Sequence, residues 1–272
     1  EKLESETRLD STERSRRMRA LRRLLTGDPG SSASFTFERA DGNRFDATLK
    51  RRRIGTRTTE MHRILPSGYG YVRFSEWTFS ATARALYGLE SLKNAPGIVI
   101  DLRNNPGGAM EAVNEMLERF FPSRTEVGRV LTRNGKPITL FMGALEIIKL
   151  RQVVEGNKDA YRGPVVVLVN SGSASGSELF AGAMQSTGRA AVVGQTSCGC
   201  LLGFLGYAHI PGGAQLAYSE VGFVLRDGKR IEGVGVLPDR AVPLTLADLR
   251  MNRDRALEEA QALLAKMKPW DK

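Results

Sequence analysis

The residues best suited to chemistry lie in one short run, Asn170-Ser171-Gly172-Ser173-Ala174-Ser175-Gly176-Ser177-Glu178, between an apolar stretch and an apolar helical one. A strand that passes through small residues into a helix presents a hydroxyl at the sheet's carboxyl edge, where α/β folds bind ligands. The helix dipole and the unpaired amides of the first turn favour a developing oxyanion there. The run suits a serine attacking a carbonyl; it also suits a plain Ser/Gly loop with an N-cap serine. A second run, Asp101-Leu102-Arg103-Asn104-Asn105-Pro106-Gly107-Gly108, has the same setting. Paired glycines let backbone amides approach a substrate oxygen without Cβ interference, so Gly107 or Gly108 is a candidate oxyanion donor. The Lys-Ser/Thr pair of a phosphate-binding loop is missing, which argues against a nucleotide.

The elements that must position these runs are readable from periodicity. Residues 96–102 and 164–170 are continuous apolar strands, each feeding a glycine-containing turn and then a helix, over 109–121 and 176–186. A strand over 69–74 and a helix over 80–94 precede them, and the alternating order argues for an α/β layer arrangement. Residues 144–154 read as helical, 190–193 as a strand, and several short strands run on to Leu225 before a terminal helix over 254–267. At the front of the chain, 11–25 has helical spacing with Gly27 as its C-cap. Residues 33–39 and 44–50 alternate across Asp41-Gly42 as a hairpin, followed by a polar linker over 51–60.

The two runs, taken with Gly194-Gln195-Thr196-Ser197-Cys198-Gly199-Cys200 and Arg230-Ile231-Glu232-Gly233-Val234-Gly235-Val236-Leu237-Pro238-Asp239, resemble the S41 peptidase family, in its C-terminal-processing (tail-specific) and tricorn-like branches. The resemblance spans about residues 69–244, with four motifs in order. It implies an α/β spiral ββα core of the crotonase and ClpP kind, and cleavage of peptide bonds near unstructured C-termini. Residues 18–39 are similar to the second half of a PDZ module, the peptide-docking unit that precedes the core in this family. The expected division is therefore 1–55 as a partial PDZ-like module and linker, 56–246 as the peptidase core, and 247–272 as a C-terminal helix.

Carried over position by position, the family's nucleophile falls on Ser175. Gly176, with Gly107 or Gly108, then forms the oxyanion hole, and Glu178 tethers the helix start. The processing branch places a lysine base twenty-five residues after the nucleophile; that position is Cys200, and no lysine occurs between Lys158 and Lys229. The tricorn-like branch uses a serine, a histidine and a glutamate. Glu232 matches its glutamate, and of the two histidines His62 is the expected base, with His209, in an alternating stretch, read as structural. Two functions stay open on these residues. One is a serine endopeptidase acting on unfolded or C-terminal segments; the other is an inactive peptidase-fold protein that binds peptides or a partner because Cys200 replaces the lysine. Acyl-CoA chemistry rests on fold analogy alone.

The chain of 272 residues is long enough to bury a sizeable core. Its charge of +10 is largely arginine, without regularly interleaved aromatics, so its basic runs read as solvated faces and nucleic acid is not an expected partner. Two cysteines, Cys198 and Cys200, match no zinc spacing, and neither a metal nor a cofactor is expected. Thiol and disulfide forms of the pair are both open. The chain starts in charged sequence with no run long enough to span a bilayer, so membrane association is expected only through a segment preceding residue 1. The expected partner is a polypeptide substrate, self-association into a homo-oligomer is compatible with the sequence, and an extracytoplasmic location, periplasmic or at the cell surface, follows from the resemblance alone.

Overall fold

The computed structural model describes residues 23, 25–39, 41–53, 61–132, 136, 139–142, 145–149, 151–201, 207–217 and 221–271. The chain forms two compact units, one of residues 1–57 with 242–258, the other of residues 58–241 with 259–272. In the first unit β1 (Ser32–Glu38) and β2 (Arg44–Lys50) pair antiparallel from Ser32 with Lys50 to Glu38 with Arg44. Gly42, at φ 88°, makes the turn that the Asp41-Gly42 pair predicts. The helix expected over 11–25 lies almost wholly outside the described residues.

The second unit is built on a six-stranded sheet. Its strands are β3 (Met61–Ile64), β4 (Gly70–Arg73) and β5 (Ile98–Asp101), followed later in the chain by three more. Helix α1 (Phe79–Ser91) joins β4 to β5; it starts at Thr78, whose hydroxyl accepts the Ala81 N–H at 3.3 Å. Helix α2 (Met110–Glu118) follows β5. Next come β6 (Thr125–Thr132), β7 (Thr139–Met142), β8 (Leu145–Lys149) and β9 (Arg151–Val154). Strand β10 (Val165–Val169) then runs into α3 (Gly176–Ser186) and on to β11 (Ala191–Gly194). A hairpin of β12 (Tyr207–Ile210) and β13 (Ala214–Ala217) precedes β14 (Val221–Leu225) and β15 (Arg240–Ala241). Two short helices, α4 (Leu246–Arg250) in the first unit and α5 (Arg255–Leu264), close the chain.

The large sheet has the order β15-β11-β10-β5-β4-β3, parallel except for the antiparallel edge strand β3. Strands covered on both faces must be apolar throughout, and Ile98, Val99, Ile100 and Val165 to Val169 are all fully buried. Helix α3 is buried from Gly176 to Met184, so it is the central helix of the unit and cannot shift without disturbing the core. Because β5 and β10 are adjacent and parallel, Leu168 pairing with Asp101, the loops that follow them leave the same edge of the sheet side by side. That register is what places residues 101–108 against residues 170–178.

The helix expected over 144–154 is not formed. Residues 145–149 pair with β7, and 151–154 pair antiparallel with β6. Gln152 and Val154 are buried while Arg151 is exposed, a period of two set by pairing with a distant strand. Among the described residues no helix is long and apolar enough to cross a membrane.

Candidate active site

Ser175 stands at the N-cap of α3 with φ 51° and ψ −114°. An L-residue rarely adopts positive φ, because Cβ then crowds the backbone, and such strain persists only where the surroundings impose it. The surroundings here are hydrogen bonds on both sides. Ser173 Oγ donates to Leu102 O at 2.8 Å and accepts the Asn170 N–H at 3.0 Å, while Ser177 Oγ donates to Asn105 O at 2.9 Å. Asn170 accepts the Asn104 N–H at 2.9 Å and donates to the Asn104 side chain at 3.0 Å. The two loops are thereby sewn together on each flank of Ser175.

Beneath them lies Trp77, fully buried. Its indole N–H donates to Ser177 Oγ at 2.9 Å, its backbone N–H donates to Gly107 O at 3.0 Å, and its carbonyl accepts the Ala109 N–H at 2.8 Å. This parallel bridge uses the groups on either side of Gly108 and leaves the Gly108 N–H facing away from Trp77. Gly107 is so close to the nucleophile loop that a Cβ on it would lie 2.7 Å from Ser175 Cβ, the Gly176 nitrogen and Ala174 O. Its φ of 99° also suits glycine alone. The Gly107 N–H is engaged by Asn105 Oδ1 at 3.0 Å. Of the two glycines the sequence offers as donors, Gly108 is therefore the one whose amide is uncommitted among the described residues. The Gly176 N–H, in the first turn of α3, is uncommitted in the same sense.

Glu178 is the hub of the site. Fully buried, it accepts the Ser175 N–H at 3.0 Å and the Cys200 N–H at 2.9 Å on Oε2. Its Oε1 accepts Ser197 Oγ and the Gly199 N–H, each at 2.6 Å. Burial raises its pKa above the ordinary carboxylate value, and the four hydrogen bonds offset part of that rise. Ser197 Oγ already accepts the Val236 N–H at 2.7 Å, so its proton goes to Glu178; all four neighbours are donors, the environment of an ionised carboxylate.

Cys198 and Cys200 form a disulfide with Cα atoms 5.2 Å apart. The position the family's lysine base would occupy is thus tied into a three-residue loop. Glu232 lies on the neighbouring segment: it accepts the Leu201 backbone N–H, and its Oε2 is buried with no hydrogen-bond partner among the described residues. Burial raises its pKa, and the charge of Glu178 raises it further.

His62 is not brought to Ser175. It lies exposed on the edge strand β3, level with Val72, its ring against Gly88 of α1 and edge-on to Tyr87. Three strand spacings, about 14 Å, separate β3 from β10, so the imidazole cannot reach the nucleophile's proton. The expectation of a His62 base fails because an antiparallel edge strand follows the linker and holds the histidine at the far side of the sheet. His209 is exposed in the β12–β13 hairpin opposite Gln215. Trp77 and Ser197, which hold the loops, act through partners far along the chain, and no local pattern marks them; Asn105 acts both locally, on the Gly107 N–H, and at a distance, on Phe74 O.

The sequence pattern of peptidase family S41 matches residues 68–242. The chain belongs to this family. The carboxy-terminal processing protease CtpB of Bacillus subtilis (strain 168) is 34% identical over 181 residues, covering 64% of this chain and 35% of that protein. The carboxyl-terminal-processing protease of Synechocystis sp. (strain ATCC 27184 / PCC 6803 / Kazusa) is 31% identical over 201 residues, covering 72% of this chain and 43% of that protein. The chain thus spans less than half the length of these curated relatives. Among solved S41 folds, the photosystem II D1 C-terminal processing protease superposes with a TM-score of 0.56 at 23% identity, over 88% of this chain and 61% of that one. That similarity carries the α/β peptidase fold.

Proposed function

We propose that this S41 chain is a serine endopeptidase that hydrolyses peptide bonds in unfolded or C-terminal segments through an acyl-enzyme on Ser175. The observation that carries the reading is the backbone of Ser175 at φ 51° and ψ −114°, held at a helix N-terminus between the uncommitted amides of Gly108 and Gly176. A strained strand-to-helix turn of this kind lifts Oγ clear of the chain and aims it at a substrate. Ser175 Oγ attacks the scissile carbonyl, and the Gly108 and Gly176 N–H groups receive the oxyanion. The leaving amine departs with a proton, and water then releases the acyl group.

The proton acceptor in this reading is Glu232. Glu178 is saturated by four donors, whereas Glu232 has an uncommitted oxygen and a pKa raised toward the range in which a carboxylate works as a base. The β1–β2 hairpin belongs, in the same proposal, to a PDZ-like peptide-docking module, supported by the sequence likeness over 18–39 and by the antiparallel pairing. An extracytoplasmic setting is favoured by the disulfide, since such bonds persist in oxidising compartments. The test is cleavage of an unfolded protein together with labelling by a fluorophosphonate. Ser175→Ala abolishes both if the assignment is correct, and cleavage unchanged in that variant refutes it.

A further inference from the structure

The Cys198–Cys200 bridge closes a loop of three residues. A crosslink restrains the unfolded chain in proportion to the length of loop it closes, so this one contributes little to global stability. Its effect is local, and the local structure is the nucleophile's support. The Gly199 and Cys200 N–H groups both end on Glu178, and Cys200 shares Oε2 with Ser175. The two bond lengths put the Ser175 and Cys200 nitrogens at most about 6 Å apart. The Cys198 N–H donates to Ser173 O at 2.9 Å, two residues before the nucleophile. On its other side the turn holds the Glu232 segment: Gly199 O accepts the Gly233 N–H at 2.9 Å, and Leu201 donates to Glu232. Gly199 sits at φ 71°, with Val234 and Gly235 amides 3.1 and 3.0 Å from where its Cβ would be. A turn this tight is held on three sides, yet Cys200 is exposed and Cys198 partly so.

We propose that Cys198–Cys200 is a thiol–disulfide exchange site for dithiol reductants, and that its oxidised form is the state in which Ser175 is competent. The inference rests on the reading of Ser175 as nucleophile. A thiolate of the reductant attacks the sulfur of the exposed Cys200, and Cys198 leaves as a thiolate that takes up a proton. The reductant's second thiol then displaces Cys200 from the mixed disulfide. The protein gains two electrons and two protons, and the dithiol leaves as its cyclic disulfide. With the ring opened, the Gly199 and Cys200 amides are no longer fixed on Glu178. The Ser175 N–H loses the acceptor geometry that imposes its positive φ, and the nucleophile drifts from its attack position. A misplacement on the order of 1 Å costs about a hundredfold in rate.

The experiment treats the whole protein with dithiothreitol and divides it into three measurements. Alkylation and mass spectrometry count accessible thiols, fluorophosphonate labelling times Ser175, and amide hydrogen exchange follows residues 173–178. Expected are two alkylated cysteines under native conditions, a labelling rate lower by about tenfold or more, faster exchange at Ser175 and Glu178, and recovery of all three on reoxidation. A C198S/C200S variant labels at the reduced rate and no longer responds to the dithiol. A bridge that resists the reductant until the protein unfolds overturns the proposal, as does full reduction with labelling and exchange unchanged. Should Ser175 fail to label in either state, the peptidase reading falls, and the exchange at 173–178 still decides whether the disulfide controls the loop.

Discussion

The strain at Ser175 can be measured as stability, apart from any chemistry. Positive φ with ψ −114° lies outside the regions open to a residue with a Cβ, and such conformations cost about 1–3 kcal/mol. Ser175→Ala keeps the Cβ and therefore the strain; Ser175→Gly removes both. Glycine gives back about 0.5–1 kcal/mol through the greater freedom of the unfolded chain. The glycine variant should then be more stable than the alanine variant by about 0.5–2 kcal/mol. For a chain of this length, with an unfolding entropy near 2 cal/mol/K per residue, that is a Tm difference of roughly 1–4 °C. Differential scanning calorimetry on the two variants reads it directly, and neither carries the hydroxyl, so loss of chemistry cannot confound the comparison. An alanine variant as stable as the glycine variant, or more stable, would show that residue 175 is not held under strain. The argument for an elbow would then fail.

Three further perturbations probe the supports. Gly107→Ala drives a Cβ to 2.7 Å from three atoms of the Ser175 loop at φ 99°, so kcat/KM for an unfolded substrate should fall by about a hundredfold or more; retained activity refutes the close approach. Glu178→Ala leaves the Ser175, Gly199 and Cys200 amides and the Ser197 hydroxyl without their acceptor, a loss of about 3–6 kcal/mol by urea denaturation. An unshifted midpoint would mean that the hub holds nothing. His62→Ala, far from the nucleophile on β3, should leave fluorophosphonate labelling at the wild-type rate, and a large fall would restore the histidine to the reaction.

What could be read from the sequence was local or strongly patterned. Residues 98–100 and 165–169 are apolar without interruption and mostly β-branched, which only a strand buried on both faces tolerates, and the glycine-containing turns after them marked both loops. The hairpin at Asp41-Gly42 is legible for the same reason, since its turn chemistry is contained in adjacent residues. The helical reading of 144–154 misled because a short apolar stretch carries no period of its own, and the decision belonged to partners in β6 and β7. The choice between Gly107 and Gly108 could not be made from sequence either: it depends on Asn105 taking one amide and on Trp77 turning the other outward. His62 lies on the correct side of the core motifs in the sequence and on the wrong side of the sheet, because sequence order does not fix the position of an edge strand.

In the proposed reading the acid–base roles fall to two carboxylates whose surroundings differ. Glu178 receives four donors, which favour its ionised form; Glu232 has a single backbone donor against burial and the nearby charge of Glu178, which together favour its protonated form. Because its folded pKa is raised, Glu232 stabilises the fold at low pH and loses that contribution as pH rises through the folded value, so Glu232→Gln should leave Tm at neutral pH unchanged or higher. Activity has the opposite sign, since the base must be ionised. The acid limb of kcat/KM should therefore lie above the ordinary carboxylate value of 4.5 and disappear in Glu232→Gln. Glu178→Gln then separates the causes: it removes the neighbouring charge while keeping the side chain's shape, so the limb must move to lower pH in whatever fraction remains folded. A limb that stays in place, or moves upward, would mean that Glu232 is not the group titrating in the reaction.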